Sequence, residues 1–149
     1  MDSLKPQSGV PAPLFTRLFD HEPERRDEPI PLRTLDRAGL LDSIRAELMA
    51  LLQTRVGLPI EQWLSLEKTV LHFGLPDMLH LCTTSKADRE LVAHIVHEAI
   101  LAFEPRLREP RVLPRSREFR TGRFHFELRA LMPMGTVVEP VSFPLYLQL

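Results

Sequence analysis

Two histidines on one helical face are the first residues of the sequence that could do chemistry. His94 and His97 stand three positions apart and Glu98 follows, so this spacing could supply ligands to a metal ion. The sequence contains neither the His-Glu-x-x-His pattern nor a pair of cysteines, and no third ligand stands at a suitable spacing. We therefore expect surface or helix-packing histidines, with no metal site and no cofactor.

Carboxylates and nucleophilic side chains are the second group of residues that could do chemistry. Glu47 and Glu67 could be nominated as the acid pair of a glycoside hydrolase, but a chain with 20 acidic residues offers many such pairs. No glycine-rich phosphate loop and no Gly-x-Ser-x-Gly motif occur, and Cys82 has no motif around it. The sequence thus predicts no catalytic residues and no enzyme activity.

The tripeptide Glu104-Pro105-Arg106 holds opposite charges on either side of a rigid residue. Because proline fixes its own φ and disfavours helical geometry in the preceding residue, we expect a helix to end here and the chain to continue extended. Alternate residues of an extended run share a face, which places the carboxylate beside the guanidinium. Such a clamp could bind polar groups of a partner bidentately. From these residues alone, an internal ion pair tying a helix end to a strand is the simpler interpretation.

The composition is that of a globular domain with unevenly distributed charge. The 149 residues are 44% apolar and 26% charged, enough for a substantial core. A single cysteine fits a reducing compartment, and the apolar runs are too short for a secretory signal or a membrane span, so we expect a cytoplasmic protein without membrane insertion.

Residues 1–105 carry 16 acids against 11 lysines and arginines, whereas residues 106–149 carry 8 arginines against 4 acids. Glutamates interrupt these arginines and no nucleic-acid motif is present, which favours a protein partner over nucleic acid.

Residues 1–34 contain six prolines and a dense cluster of charges. This composition predicts a flexible arm that precedes a domain spanning residues 35–149. Within the arm, Leu14, Phe15, Leu18 and Phe19 would form one face of a short helix, which we expect to dock on the domain itself or on a partner.

Two helices and a sheet are expected to position these residues. Apolar stripes predict helices at about 36–54 and 85–103, with an irregular connection over 56–83. Alternating patterns predict strands at 106–113, 124–130 and 141–147, the last with Val141, Phe143, Leu145 and Leu147 on one face. Pro144 cannot donate to a ladder, so the last strand should lie at a sheet edge. We predict an α+β fold in which two main helices pack on a small antiparallel sheet.

Several segments, in this order and spacing, resemble one family along nearly the whole chain. These segments are Pro13-Leu14-Phe15-Thr16-Arg17-Leu18, Leu51-Leu52-Gln53-Thr54-Arg55, His72-Phe73-Gly74-Leu75-Pro76-Asp77, Phe103-Glu104-Pro105-Arg106-Leu107 and Glu139-Pro140-Val141-Ser142-Phe143. They resemble TssE, the baseplate subunit of bacterial type VI secretion systems, which is similar to the gene-25-like lysozyme or wedge protein of contractile phages. Gln53 and Phe73 depart from the family, which commonly has Asn and Tyr there.

The resemblance implies a structural subunit of the baseplate wedge. TssE-like proteins associate with TssF and TssG, with TssK and other baseplate subunits as further possible neighbours, and help to start the TssB/TssC sheath. The family's Glu-Pro-Arg motif contacts the helical core of the wedge, which maps onto Glu104, Pro105 and Arg106. The sheet is implied to offer an open edge to the first sheath ring, and the Pro144 strand is our candidate edge. Because Pro144 removes one donor, the neighbouring edge is the alternative. This resemblance also implies a cytoplasmic baseplate held at an apparatus anchored in the inner membrane.

Two other functions stay open at this point. A peptidoglycan hydrolase is suggested only by the family's older name and would need a cleft with two suitably spaced acids. A soluble anti-adaptor regulator, a role of distant relatives with the same fold, would need no baseplate partner.

Overall fold

Three helices and two small antiparallel sheets make up the part of the chain that the computed structural model describes, namely residues 10–14, 18, 23–24, 34–115 and 123–148. The helices are α1 (Arg37–Gln53), α2 (Ile60–Ser65) and α3 (Lys86–Phe103). A 3₁₀ turn spans Val70–His72. The predicted α+β class is confirmed, and α1 and α3 are the two main helices.

Both long helices begin at residues whose side chains cap them. The Asp36 carboxylate accepts from the Gly39 N–H at 2.8 Å, and the Ser85 hydroxyl accepts from the Asp88 N–H at 3.2 Å. These bonds satisfy N–H groups that have no partner within the helix. Asp88 does not complete a capping box, because its carboxylate accepts from the Cys82 N–H at 2.9 Å instead.

The larger sheet contains β3 (Arg108–Pro114), β4 (Arg123–Met134) and β5 (Val137–Gln148) in the order β3-β4-β5. Strands β4 and β5 are longer than predicted, because they continue to a hairpin turn at Gly135-Thr136. The turn needs a positive φ at its first residue, and Gly135 supplies one of 62°.

The two-residue strands β1 (Val10–Pro11) and β2 (Thr34–Leu35) pair with each other. Ala12 beside them is buried. The boundary between arm and domain at residue 34 stays a prediction.

The core lies between the helices and one face of the larger sheet. The buried side chains of β4 and β5 alternate with exposed ones, and those of α1 and α3 recur at helical spacing. The buried members from the sheet are Phe124, Phe126, Leu128, Ala130, Met132, Val141, Phe143, Leu145 and Leu147. Among the described residues, no helix combines the length and the apolar character needed to cross a membrane.

The predicted irregular connection contains α2 and the 3₁₀ turn, and it is fixed to the end of α1. The Val56 N–H donates to the Leu75 carbonyl at 2.8 Å, and the Leu75 N–H donates to the Thr54 carbonyl at 3.0 Å. Gly74 has a φ of 123°, and a Cβ added to it would lie 2.8 Å from the Thr54 oxygen. Only glycine tolerates both conditions, so this residue allows the loop to approach the helix.

Candidate functional site

The Glu104-Pro105-Arg106 segment forms a tight turn at the end of α3. The helix ends at Phe103 as predicted, and the Glu104 N–H still donates to the Ile100 carbonyl at 2.9 Å. The prediction of an extended chain beyond Glu104 is wrong, because the Leu107 N–H donates back to the Glu104 carbonyl at 3.1 Å and closes a turn. Pro105 occupies the turn position that its fixed φ favours. The two charged side chains therefore meet through a turn and not through the alternation of a strand.

The carboxylate and the guanidinium nevertheless lie side by side, as predicted. Arg106 Nε donates to Glu104 Oε1 at 2.7 Å, and Arg106 Nη2 donates to Oε2 at 2.6 Å. The Arg106 backbone N–H adds a bond to Oε1 at 3.2 Å. The Glu104 side chain is 3% exposed, whereas that of Arg106 is 26% exposed. The pair is a bidentate ion pair with a buried acid and a base that reaches the surface.

This ion pair also connects α3 to α1. Arg106 Nη1 donates to the Ser43 hydroxyl at 2.9 Å across 63 residues of sequence. The hydrogen bond to Glu104 raises the pKa of Arg106 above its ordinary value, against the effect of burial, and the charges of Glu104 and Glu47 add to this shift. Arg106 is thus held permanently charged. No pattern in the sequence indicated Ser43, because a serine within an amphipathic helix has no distinguishing spacing.

Part of the guanidinium remains available to a partner. A guanidinium carries five N–H donors, and the bonds to Glu104 and Ser43 occupy three of those of Arg106. The other two have no acceptor among the described residues. Pro105 beside them is exposed. The motif therefore serves as an internal tie and also presents a charged, oriented donor surface.

The second predicted site, β5, lies at an edge of the larger sheet, since β4 is the one strand of the described residues that pairs with it. The four residues assigned to this strand, Val141, Phe143, Leu145 and Leu147, are buried and point to the core. Their side chains cannot meet a partner there, so the edge can offer only backbone groups and the alternating exposed side chains.

The ladder reveals which backbone groups of β5 face outward. The Arg115 N–H donates to the His125 carbonyl at 2.8 Å, so the backbone of His125 points toward β3 and away from β5. Tyr146 is opposite His125 and must direct its own backbone groups to the open side. Because backbone groups of successive strand residues alternate in direction, the residues whose N–H and C=O groups face outward are Pro140, Ser142, Pro144, Tyr146 and Gln148.

Prolines occupy two of these five outward positions. Because Pro140 and Pro144 have no N–H, they remove donors from the open edge and none from the ladder between β4 and β5. Ser142 and Tyr146 keep their N–H groups. The edge thus retains an interrupted row of N–H groups and a row of carbonyl groups, of which the last, at Gln148, accepts from Arg55. This arrangement limits indiscriminate strand pairing.

Arg55 holds the end of this strand, a role that the sequence did not indicate. Its guanidinium donates to the Leu52 carbonyl at 2.6 Å and to the Gln148 carbonyl at 3.0 Å. Partial burial lowers the pKa of Arg55, and Asp77 opposes that shift. One side chain therefore caps α1 and anchors the last residue of β5.

The predicted docking residues of the arm are described only in part. Leu14 and Leu18 are 62% and 69% exposed. Phe15 and Phe19 lie outside the described residues. Their docking role stays a prediction.

The two histidines lie on α3 close to Glu98. His94 Nδ1 and His97 Nε2 are 4.0 and 3.9 Å from Glu98 Oε1. Within the described ranges, no cluster of three or more His, Cys, Asp or Glu side chains has a geometry for holding a metal ion.

These features are suited to contacts with other proteins. They are an α+β fold, an ion-paired turn with available donors and a sheet edge that is open among the described residues. The family model of the baseplate wedge protein gp25 matches residues 38–136. The chain therefore belongs to the gp25 family of baseplate wedge proteins, and a structural role in a baseplate follows from this membership.

Two solved structures are similar to the chain. A Geobacter sulfurreducens protein provisionally named a tail lysozyme is 21% identical with a TM-score of 0.51, over 78% of this chain and 96% of that one. A chain of the baseplate complex of the type VI secretion system is 18% identical with a TM-score of 0.48, over 74% of this chain and 95% of that one. No curated protein sequence matches the chain at a significant level.

Proposed function

We propose that this protein is the TssE-like wedge subunit of a type VI secretion baseplate, joining the wedge core to the contractile sheath and helping the sheath to start. Family membership and the ordered TssE-like segments support this assignment. The observation that carries the sheath contact is the open edge of β5, because an unpaired edge is what an added strand requires. The baseplate would assemble in the cytoplasm at an apparatus anchored in the inner membrane.

The turn at Glu104-Pro105-Arg106 supplies the proposed contact with TssF and TssG. The ion pair holds the Arg106 guanidinium in one orientation, so little side-chain entropy is lost when its two remaining donors bind. Carbonyl groups at the end of a partner helix, or a partner carboxylate, would accept both bonds. Pro105 adds an exposed rigid surface to this contact.

The edge contact can be tested by replacing one outward N–H. Ser142→Pro removes a donor that faces away from β4, so the sheet should keep its internal ladder while an added strand loses a hydrogen bond. Ser142→Ala is the matched control, because it keeps the N–H and also loses the hydroxyl bond to Glu127. We expect fewer sheaths by fluorescence microscopy in Ser142→Pro cells only. Normal sheath numbers in that variant, with the folded protein present, would contradict the edge contact.

The wedge contact is tested by co-purification with TssF and TssG from the same gene cluster. Arg106→Lys keeps the positive charge but cannot form the guanidinium fork, so we expect weaker recovery of the complex. Arg45→Lys, at an exposed arginine of α1, is the control. Equal recovery of both variants would argue against Arg106 as the anchor.

We also propose that the protein is not a peptidoglycan hydrolase, despite the name of one structural neighbour. Glycoside hydrolysis needs two available carboxyl groups that flank a cleft. Glu104 is committed to Arg106, and Glu127 is held by Arg115 and Arg129 at 2.7 and 3.0 Å. These arginines and the Ser142 hydroxyl lower the pKa of Glu127, the opposite of what a general acid requires. Release of soluble fragments from purified peptidoglycan by the protein would overturn this view.

A further inference from the structure

The open face of the larger sheet carries an excess of arginine. This face is the one opposite the helices, where the exposed side chains of β3, β4 and β5 alternate with the buried ones. Its charged members among the described residues are Arg108, Arg111, Arg115, Arg123, Arg129, Glu127 and, at the β3 bulge, Glu109. Five arginines of the described ranges therefore share the face with two glutamates.

Two of these arginines occupy an unfavourable position for the stability of the sheet. Arg111 and Arg129 are direct partners in the β3-β4 register, so their side chains leave the same face as neighbours. Like charges directly opposite each other destabilise a strand pair. Arg129 turns its guanidinium to Glu127 at 3.0 Å, whereas the Arg111 side chain has no ion pair or hydrogen bond within the described residues. The fold itself thus gains nothing from the positive charge of Arg111.

A shallow depression opens between this arginine pair and β5. It has a volume of about 390 Å³, and its lining includes Glu109, Arg111, Arg129, Leu131, Pro140 and Ser142. The volume is sufficient for one or two side chains. Its lining combines apolar residues with two arginines, which is a suitable environment for the methylene and carboxylate parts of Glu or Asp.

From this geometry we propose that the open sheet face binds an acidic segment of a partner protein, with one carboxylate between Arg111 and Arg129. A single carboxylate there would satisfy the unpaired guanidinium and relieve the repulsion between the two arginines. Glu127 and Glu109 interrupt the positive charge of the face, which favours one or a few localised carboxylates over the continuous charge of a phosphate backbone. This surface adjoins the β5 edge at Pro140 and Ser142, but it uses side chains of the open face and not the outward backbone groups of the edge. The inference therefore goes beyond the proposed baseplate contacts.

Charge substitutions on both sides of the depression test the inference. The probe is a fluorescein-labelled peptide of ten glutamates, and its binding to the full chain is followed by fluorescence anisotropy at low salt. Arg111→Gln should weaken binding about two- to fivefold, the range of one exposed ion pair. Glu109→Gln removes the opposing charge and should strengthen binding by a similar factor. Arg45→Gln removes the same charge from α1 and should leave the affinity unchanged.

Several outcomes would overturn the inference. No binding of the peptide at low salt would do so, as would equal weakening in Arg111→Gln and Arg45→Gln. Tighter binding of a 20-base-pair DNA duplex than of the peptide would point to nucleic acid instead. The melting temperature of Arg111→Thr provides a test without ligand, because removing a repelling charge should raise it. A clear fall in melting temperature would show that Arg111 supports the fold, which would contradict the argument.

Discussion

Replacing Arg106 by alanine should destabilise the isolated domain, because the change leaves a buried carboxylate without its ion-pair partner. The variant loses the bonds from the guanidinium to Glu104, at 2.7 and 2.6 Å, and to Ser43, at 2.9 Å. Glu104, whose side chain is 3% exposed, keeps only the backbone N–H of residue 106 at 3.2 Å. Removing one partner of a buried ion pair costs about 3–5 kcal/mol.

The lower end of this range applies, since the Arg106 side chain is 26% exposed and water can enter when it is removed. We therefore expect a loss of about 3 kcal/mol in the free energy of unfolding, which corresponds to a fall of about 10 °C in melting temperature. Glu104→Ala should cost less, because the freed guanidinium can turn to solvent. In the double variant the effects should be non-additive by about 1–3 kcal/mol.

Urea unfolding followed by tryptophan fluorescence would measure these energies. The chain has a single tryptophan, Trp63, which is fully buried, so its emission reports the loss of the core. Arg45→Ala breaks an exposed ion pair with Asp42 and a cation–π contact with the Phe143 ring at 6.0 Å, and it serves as the control, with an expected loss below about 2 kcal/mol. If Arg106→Ala stayed within that same limit, or if the two single changes were additive, the ion pair would not be the tie between α3 and α1.

Gly74→Ala should cost about 2–3 kcal/mol because of the positive φ and the approach to Thr54. Gly57→Ala, with open space around the added Cβ, should be nearly neutral in the same unfolding assay; similar losses at both glycines would refute the close-approach argument. Glu127 has a lowered pKa, so its contribution to stability is present above the ordinary glutamate pKa and is lost as the pH falls through the lowered value. The wild type should therefore melt above Glu127→Gln at neutral pH, and the difference should shrink on acidification; a difference that is constant from about pH 7 to pH 3 would contradict this. Arg55→Ala should loosen the end of β5, seen as faster amide hydrogen exchange in its last residues, because the bond to the Gln148 carbonyl is lost; unchanged exchange would mean that the strand end needs no anchor.

The sequence by itself determined the helices and the alternation of the strands. The apolar spacing of α1 and α3 and the capping residues Asp36 and Ser85 are local signals, so both helices could be predicted to within about one residue. The alternation in β4 and β5 indicated the buried face of each strand. Pro144 correctly indicated an edge strand, because the missing N–H of proline is a property of the residue itself.

The tertiary structure decided which distant residues meet. Ser43, Arg55 and the Arg111-Arg129 pair have no pattern in the sequence, since their contacts depend on how helices and strands are placed after folding. The same holds for Glu104, whose partner Arg106 was foreseen, but whose burial was not. Local sequence fixes backbone preferences over a few residues, whereas burial and long-range hydrogen bonds arise only when separate elements pack together. The residues that could meet other proteins were therefore predictable in type, but their orientation and their available donors came from the packing of α1 and α3 against the sheet.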